Sequence, residues 1–194
     1  RNGGASGCVE TGAFGTEAYW LTGYFNLPKI LEITLNDGFD ERTKTQIGLR
    51  TGYAADYQTF DALMSAFRAQ VNYFTGIKIR GNNIIQRIFA DWLPVPFLSL
   101  LVEDCISNGK DYNNGGARYN TTYIQGVGLG SIADILTSIR YNIYDRKKYT
   151  WPQLKAALDA DFEGYEEIRH ELIFETPKYG NDDDYADQQA VSVF

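Results

Sequence analysis

A cysteine and a glutamate two positions apart, Cys8 and Glu10, are the residues of this chain whose types and spacing could do chemistry. In an extended segment the side chains of residues i and i+2 leave the backbone on the same side, with Cα atoms about 6.5 Å apart, so both could face one small substrate. Glycines at positions 3, 4, 7, 12 and 15 surround the pair, and their missing Cβ atoms allow a sharply folded loop. The pattern predicts a loop that faces a substrate.

Nucleophilic chemistry does not suit Cys8, because a thiolate needs a nearby cation, a helix N-terminus or a histidine. Its nearest charged neighbour is Glu10, the closest cations in sequence are Arg1 and Lys29, and the single histidine is His170. The pair favours a thiol that stays protonated and exchanges a hydrogen atom, while the glutamate moves protons. A small buried hydrophobe is the alternative for such a cysteine, and these residues alone leave it open.

Residues 6–28 resemble the thiyl-radical loop of the glycyl radical enzymes, the pyruvate formate-lyase-like superfamily; their sequence is SGCVETGAFGTEAYWLTGYFNLP. The branch with this pattern contains hydroxyproline dehydratase and isethionate sulfite-lyase. Further matching blocks follow in order: KILE at 29–32, GGARYN at 115–120, YIQGVG at 123–128 and TPKYGNDDDYAD at 176–187. The resemblance extends over essentially all 194 residues.

The resemblance implies roles for three residues. A backbone glycyl radical, held outside this segment and installed by a radical SAM activating enzyme, takes a hydrogen atom from Cys8, and the resulting thiyl takes one from a small-molecule substrate. Glu10 then acts as the general base. Tyr24 falls where relatives place a tyrosine that lines the substrate pocket, and a plain packing role is its alternative. No bound cofactor and no metal are expected in this segment, and the full-length protein is expected to be a homodimer.

The expected activity is a glycyl-radical lyase that cleaves a C–O or C–S bond and eliminates water or sulfite. Pyruvate formate-lyase itself has two adjacent cysteines here, and Val9 in place of the second argues against acyl transfer. Arylacetate decarboxylation, formate acetyltransferase-like chemistry and an inactive fragment are the alternatives. The choice between isethionate, hydroxyproline and another substrate stays open at this point.

An internal piece of a larger enzyme is expected, because the family's Arg-Val-X-Gly-Tyr motif is missing from these residues. Residues 1–194 are interpreted as a single segment of the catalytic barrel domain, with the cysteine loop at 1–28, and as inactive alone. The formal charge of −7 and the absence of a basic stripe argue against nucleic acid. No apolar run is long enough to span a membrane, and two cysteines make no disulfide framework. The location is expected to be cytoplasmic, or the lumen of a bacterial microcompartment, in anaerobic metabolism.

The fold class is predicted to be α/β, a helix-rich fragment of the ten-stranded barrel that the resemblance implies. A strand at 121–127, a glycine turn and a helix capped by Ser131 form the repeating unit of such a barrel. Asn26 is expected to cap a helix, and Thr150 with Gln153 forms a capping-box pattern. Further helices are predicted from apolar spacing at 60–74, 82–91, 163–174 and 182–193, whereas 98–107 could be strand or helix. The apolar stripes of the helices at 60–74 and 82–91 are expected to be buried, as are Leu154 and Leu158 in the helix after Thr150.

Four other features are interpreted as structural. Arg118 is expected to hold backbone or a carboxylate, with a structural role favoured, and Cys105 to pack in a core. His170 is expected on a solvated helix face. The acidic residues 182–184 follow an asparagine at a predicted helix start, so capping explains them better than a cation site does.

Overall fold

The computed structural model describes residues 3–6 and 10–194, apart from the side chains of Ser6, Glu10, Leu21 and Thr22. The chain divides into two compact units. The first comprises Arg1–Phe25 and Thr75–Gln125, and the second comprises Asn26–Phe74 and Gly126–Phe194. Membership of all 194 residues in one segment of a barrel domain stays a prediction.

Helices predominate in the part of the chain that the structure describes. The strands are β1 (Gly3–Ser6), β2 (Glu10–Ala13), β3 (Glu17–Asn26), β4 (Phe39–Asp40), β5 (Thr45–Gln46) and β6 (Tyr119–Val127). The α-helices are α1 (Leu27–Leu35), α2 (Phe60–Trp92), α3 (Pro96–Leu101), α4 (Cys105–Asn108), α5 (Leu129–Ile139), α6 (Trp151–Asp159), α7 (Glu166–His170) and α8 (Asp184–Val193). Short 3-10 helices occur at Ala54–Asp56 and Tyr112–Asn114, and π-helical turns at Arg140–Asp145 and Glu171–Glu175. The predicted α/β class is confirmed.

The first unit places strands beside the second half of α2. β1 pairs with β2, and β3 pairs with β6. Trp20 of β3 meets Phe89 of α2 edge to face, with ring centroids 5.2 Å apart. This unit has a small core of four buried residues: Ala18 of β3, Val102 just before α4, Cys105 of α4 and Ala117 just before β6. Tyr112 packs against this core.

The second unit is built around α5, which packs against α1 and α8. The large apolar side chains that it buries most deeply come from α1, α2 and α5: Leu31, Leu63, Phe67, Ile132 and Leu136. Burial of this kind contributes roughly 1.5–3 kcal/mol for each large apolar side chain.

Two predicted helix starts are confirmed. The Asn26 side chain accepts a hydrogen bond from the Lys29 N–H at 3.1 Å, with Pro28 in the first turn of α1. Thr150 and Gln153 form the expected capping box at the start of α6. Both caps satisfy backbone donors that have no partner within their own helix.

The start predicted for α5 is wrong by three residues. The helix begins at Leu129, not after Ser131, and Gly128 precedes it with a left-handed φ of 88°. A Cβ on Gly128 would lie 2.7 Å from the ring of Pro28. The glycine at position 128 is therefore explained by packing against Pro28.

The two helices predicted at 60–74 and 82–91 are a single helix, α2. Gly76 and Gly81 lie inside it, and an interior glycine lowers helix stability by only about 1 kcal/mol. In the first half the predicted burial is confirmed for Leu63, Met64 and Phe67, whereas Phe60, Val71 and Phe74 are half-buried. In the second half it is wrong, because the apolar stripe is exposed: Ile84 62%, Ile85 38%, Ile88 49% and Phe89 36%. Helical spacing identifies an apolar face but not what covers it.

The segment left open between strand and helix forms two short helices, α3 and α4, separated by residues 102–104. Leu158, predicted to be buried beside Leu154 in α6, is 52% exposed, whereas Leu154 is buried. Within the described residues, no helix is both long enough and apolar enough to cross a membrane.

Candidate active site

Of the predicted catalytic pair, the structure describes only the backbone of Glu10, in strand β2. Strands β1 and β2 pair antiparallel from Gly3 opposite Ala13 to Ser6 opposite Glu10. Glu10 is thus the first residue of β2 and its backbone is paired. Cys8 and the side chain of Glu10 lie outside the described residues, so a shared face for the thiol and the carboxylate stays a prediction.

A tight turn joins β2 to β3. The Ala13 carbonyl accepts hydrogen bonds from the N–H of Thr16 at 3.0 Å and from its hydroxyl at 2.8 Å. Gly15 has a φ of 75°, the left-handed value that a type II turn requires at its third position. The Gly15 carbonyl accepts a hydrogen bond from the Glu103 N–H at 2.7 Å, and the Thr16 carbonyl accepts one from the Tyr119 N–H at 3.1 Å. These bonds tie the turn to two other segments of the first unit.

The carboxylate of Glu17, the first residue of β3, gathers donors from two other strands. Oε1 accepts hydrogen bonds from the hydroxyls of Thr121 at 2.5 Å and Tyr123 at 3.2 Å, and Oε2 accepts one from the Ala13 N–H at 2.8 Å. The hydrogen bond from Thr121, followed by that from Ala13, lowers the pKa of the Glu17 carboxyl below its ordinary value. Glu17 is therefore ionised at neutral pH and connects β2, β3 and β6.

A second contact holds β2 from the side of β6. The Tyr123 hydroxyl lies 3.0 Å from the Thr11 carbonyl, to which it can donate, and the Tyr123 ring meets Tyr19 edge to face at 5.7 Å. A Cβ added at Gly12 would be in ordinary van der Waals contact with its neighbours, 3.4 Å from a Glu17 carboxylate oxygen and 3.5 Å from the Tyr19 ring. Residues 11–13 therefore lie beside β3 and β6, and the strand leads from this point back to Glu10.

Arg118 has acidic partners at the surface, as the structural interpretation expects. Its guanidinium donates from Nε to Asp104 at 2.9 Å and lies 3.0 Å from a carboxylate oxygen of Glu103. The hydrogen bond from Arg118 lowers the pKa of Asp104, which has a left-handed φ of 74°. Arg118 thus supports the loop whose Glu103 N–H binds the carbonyl of Gly15.

Tyr24 lies near the end of β3 and is 64% exposed. A side chain this accessible can meet a ligand, and its neighbour Gly23 has a positive φ of 145°. From the turn before Glu17, β3 leads toward Tyr24 while β2 leads back toward Glu10. The substrate-binding role of Tyr24 stays a prediction.

The second thiol of the chain, Cys105, packs in the core of the first unit and is 2% exposed. Burial raises the pKa of this thiol, and the charges of Asp111 and Asp104 act in the same direction. Its predicted neighbour Val102 is buried with it, whereas Ile106 is 70% exposed. Cys105 is therefore a poor candidate for reactive chemistry.

The acidic residues 182–184 take the capping role that the sequence predicts. Asp183 precedes α8 and its side chain accepts a hydrogen bond from the Tyr185 N–H at 3.0 Å. Among residues 3–6 and 10–194, no group of three or more His, Cys, Asp or Glu residues could hold a metal ion. His170 is exposed, as predicted, and its ring stacks at a tilt on Phe174.

A mostly apolar cavity of about 620 Å³ lies in the second unit. Its lining includes Pro28, Leu31, Ile135, Trp151 and Leu158. Glu17 and Tyr24 belong to the first unit and do not line it. We therefore assign this cavity no role in the candidate active site.

The sequence profile of the pyruvate formate lyase-like family matches residues 1–194. The chain belongs to this family. Isethionate sulfite-lyase of Desulfovibrio desulfuricans is 31% identical over 186 residues, which cover 94% of this chain and 22% of that protein. The resemblance to glycyl radical enzymes is thereby confirmed.

Trans-4-hydroxy-L-proline dehydratase of Clostridioides difficile is 56% identical over 194 residues, which are 100% of this chain and 25% of that protein. The crystal structure of hydroxyproline dehydratase from the same organism, with trans-4-hydroxy-L-proline bound, matches with a TM-score of 0.94 and 57% identity. That match covers 97% of this chain and 24% of the crystallised chain. The chain thus spans about a quarter of the length of the relatives it matches.

The sequence does not predict the cluster of Glu17, Thr121 and Tyr123. Glu17 is 104 positions from Thr121 and 106 from Tyr123, and no local spacing indicates such a contact. One signal is present: the predicted strand at 121–127 carries hydroxyls at 121 and 123, which share a face because side chains alternate along a strand.

Proposed function

We propose that this chain is the cysteine-loop segment of a glycyl-radical dehydratase that eliminates water from trans-4-hydroxy-L-proline. The observation that supports this most is the 56% identity over the whole chain with a dehydratase of that substrate. The sulfite-lyase of Desulfovibrio desulfuricans, which acts at a C–S bond, is 31% identical.

In the proposed reaction Cys8 and Glu10 divide the work. The Cys8 thiyl takes a hydrogen atom from the substrate carbon next to the one that bears the hydroxyl. Glu10 takes a proton from the ring amine attached to that carbon and returns one to the hydroxyl as the C–O bond breaks, so that the hydroxyl leaves as water. The product radical then recovers a hydrogen atom from the Cys8 thiol, so the net change is loss of one water with no external oxidant. Proximity of the two groups is required because the proton must move while the substrate radical is short-lived.

The glycyl radical of the family would accept the hydrogen atom from the Cys8 thiol. It would reside outside these 194 residues, and a radical SAM activating enzyme would install it. A homodimeric enzyme in the cytoplasm, or inside a bacterial microcompartment, belongs to the same proposal.

The test uses the complete open reading frame that encodes this segment, produced without oxygen together with a radical SAM activating enzyme. Electron paramagnetic resonance is expected to show a glycine-centred doublet, and chromatography to show dehydration of trans-4-hydroxy-L-proline. Cys8→Ala should abolish turnover and keep the doublet. Cys105→Ala, the matched control at the buried thiol, should keep both.

Turnover that persists in Cys8→Ala would refute the thiyl mechanism. Release of sulfite from isethionate, without dehydration of hydroxyproline, would replace the proposed substrate by that of the sulfite-lyases. An unreactive protein without a doublet would support an inactive segment.

A further inference from the structure

We propose that Glu17 is a positioning residue of this site, which holds the β1–β2 hairpin against β3 and β6 and thereby fixes where Cys8 and Glu10 meet the substrate. This inference rests on the proposed function. Glu17 itself is not placed in contact with the substrate, and its effect on the reaction passes through the backbone of β2.

The first step of the argument is the donor set. One carboxylate joins three strands, because the Thr121 hydroxyl and the Ala13 N–H donate to it, and the Tyr123 hydroxyl shares its single hydrogen between this carboxylate and the Thr11 carbonyl. Hydrogen bonds to an ionised acceptor are roughly twice as strong as neutral ones. Three hydrogen-bonding groups from two other strands thus meet at Glu17.

The second step is the length of β2. The strand has four residues, with Ala13 at the anchored end and Glu10 at the other. Three residues of extended chain span about 10 Å. Because the Thr11 carbonyl also lies 3.0 Å from the Tyr123 hydroxyl, two of the four residues of β2 have contacts to this cluster.

The third step is the consequence of slippage. A shift of β2 by one residue would move Glu10 by about 3.3 Å and turn its side chain to the other face. Displacement of a reacting group by even 1 Å can lower the rate by roughly 100-fold. The anchor at Glu17 opposes this shift, so it acts on the geometry of the reacting pair as well as on stability.

The decisive variants are Glu17→Ala and Glu17→Gln. Alanine removes the anchor. Glutamine can keep it, because its amide oxygen can accept from the Ala13 N–H while its amide N–H groups donate to the two hydroxyls on β6. In the complete enzyme, Glu17→Ala is expected to lower turnover per glycyl radical by roughly 10- to 100-fold, and Glu17→Gln to stay within about fivefold of the unmodified enzyme.

Two readouts separate positioning from a general loss of fold. The number of radical spins per chain should be unchanged in Glu17→Ala, and the kinetic isotope effect with substrate deuterated at the attacked carbon should rise. Hydrogen exchange of a peptide covering residues 3–16 should become faster, since the Ala13 N–H loses its acceptor. Glu163→Ala, at an exposed glutamate in the second unit, is the matched control and should change none of these.

If Glu17→Ala does not fold, Thr121→Val removes only the shortest hydrogen bond and is expected to lower turnover per radical by about three- to tenfold. The inference is overturned if turnover per radical is unchanged in the folded variants. It is also overturned if radical yield, turnover and folded fraction fall in parallel. An unmodified enzyme with no doublet or no dehydration would instead refute the proposed function, which keeps the two failures distinct.

Discussion

Replacement of Gly15 by alanine isolates the backbone contribution of the turn that precedes β3. With a φ of 75° and no atom within 4 Å of an added Cβ, Gly15 would incur conformational strain without a steric clash. A left-handed conformation costs an L-residue about 1–2 kcal/mol, and the lower entropy of the unfolded alanine chain offsets about 0.4–1 kcal/mol. The net expectation for Gly15→Ala is a loss of about 0–1.6 kcal/mol, with a mid-range value of about 0.8 kcal/mol, from the local opening free energy of residues 3–16, measured by hydrogen exchange.

Two controls sharpen this test. Gly3→Ala lies in the same hairpin, also in open space but without a positive φ, and should be neutral or stabilising by about 0.5 kcal/mol. D-alanine at position 15, introduced by semisynthesis, accepts a positive φ and should restore or exceed the stability of glycine. The reasoning is refuted if L-alanine and D-alanine at position 15 have equal effects, because chirality would then not matter at this turn.

Three further predictions concern the rest of the chain. Gln70→Met removes three part-buried hydrogen bonds between the Gln70 side-chain amide and residues 49–51. The free energy of unfolding, measured in urea, should fall by about 1–3 kcal/mol, and an unchanged value would show that these hydrogen bonds do not stabilise the fold. The hydrogen bond from Lys29 lowers the pKa of Asp40, so its stabilisation is present above the ordinary value of 3.8 and is lost as pH falls below it. The unfolding free energy of Asp40→Asn should accordingly depend less on pH in acid, and an unchanged slope would count against the ion pair. In a Cys8→Ala background, Cys105 should react with a thiol reagent at least 100-fold more slowly in the folded chain than in urea, and rapid labelling would show that the site opens.

Local signals predicted several of the helices well. Asn26 and the pair Thr150 and Gln153 identify helix starts because the capping contacts lie within three residues of sequence. Spacing also predicted α2, although it divided one helix into two. These features depend on neighbouring residues, and the sequence displays such neighbours directly.

The error at α2 has a different physical origin. Ile84 and Ile88 lie on an apolar stripe that spacing identifies correctly, yet the described residues leave both exposed at 62% and 49%. Burial is a relation between two surfaces, and a pattern on one helix contains no information about the other. The start of α5 differs from the prediction for a related reason. The ring of Pro28 leaves no room for a side chain at Gly128, and Pro28 lies more than ninety positions earlier in the sequence.

The candidate site depends both on residues that are neighbours in sequence and on residues that are distant in sequence. A thiol beside a carboxylate can be read from Cys8 and Glu10, since their chemistry follows from residue type and spacing. What holds the neighbouring strand β2 in place depends on Glu17, whose partners on β6 are more than one hundred positions away. A hydrogen-atom transfer tolerates little displacement, so the residues that do the chemistry need a rigid frame. In this chain polar contacts of Glu17 provide that rigidity. A carboxylate that accepts from donors on two strands restrains both the position and the direction of β2, whereas apolar packing is non-directional.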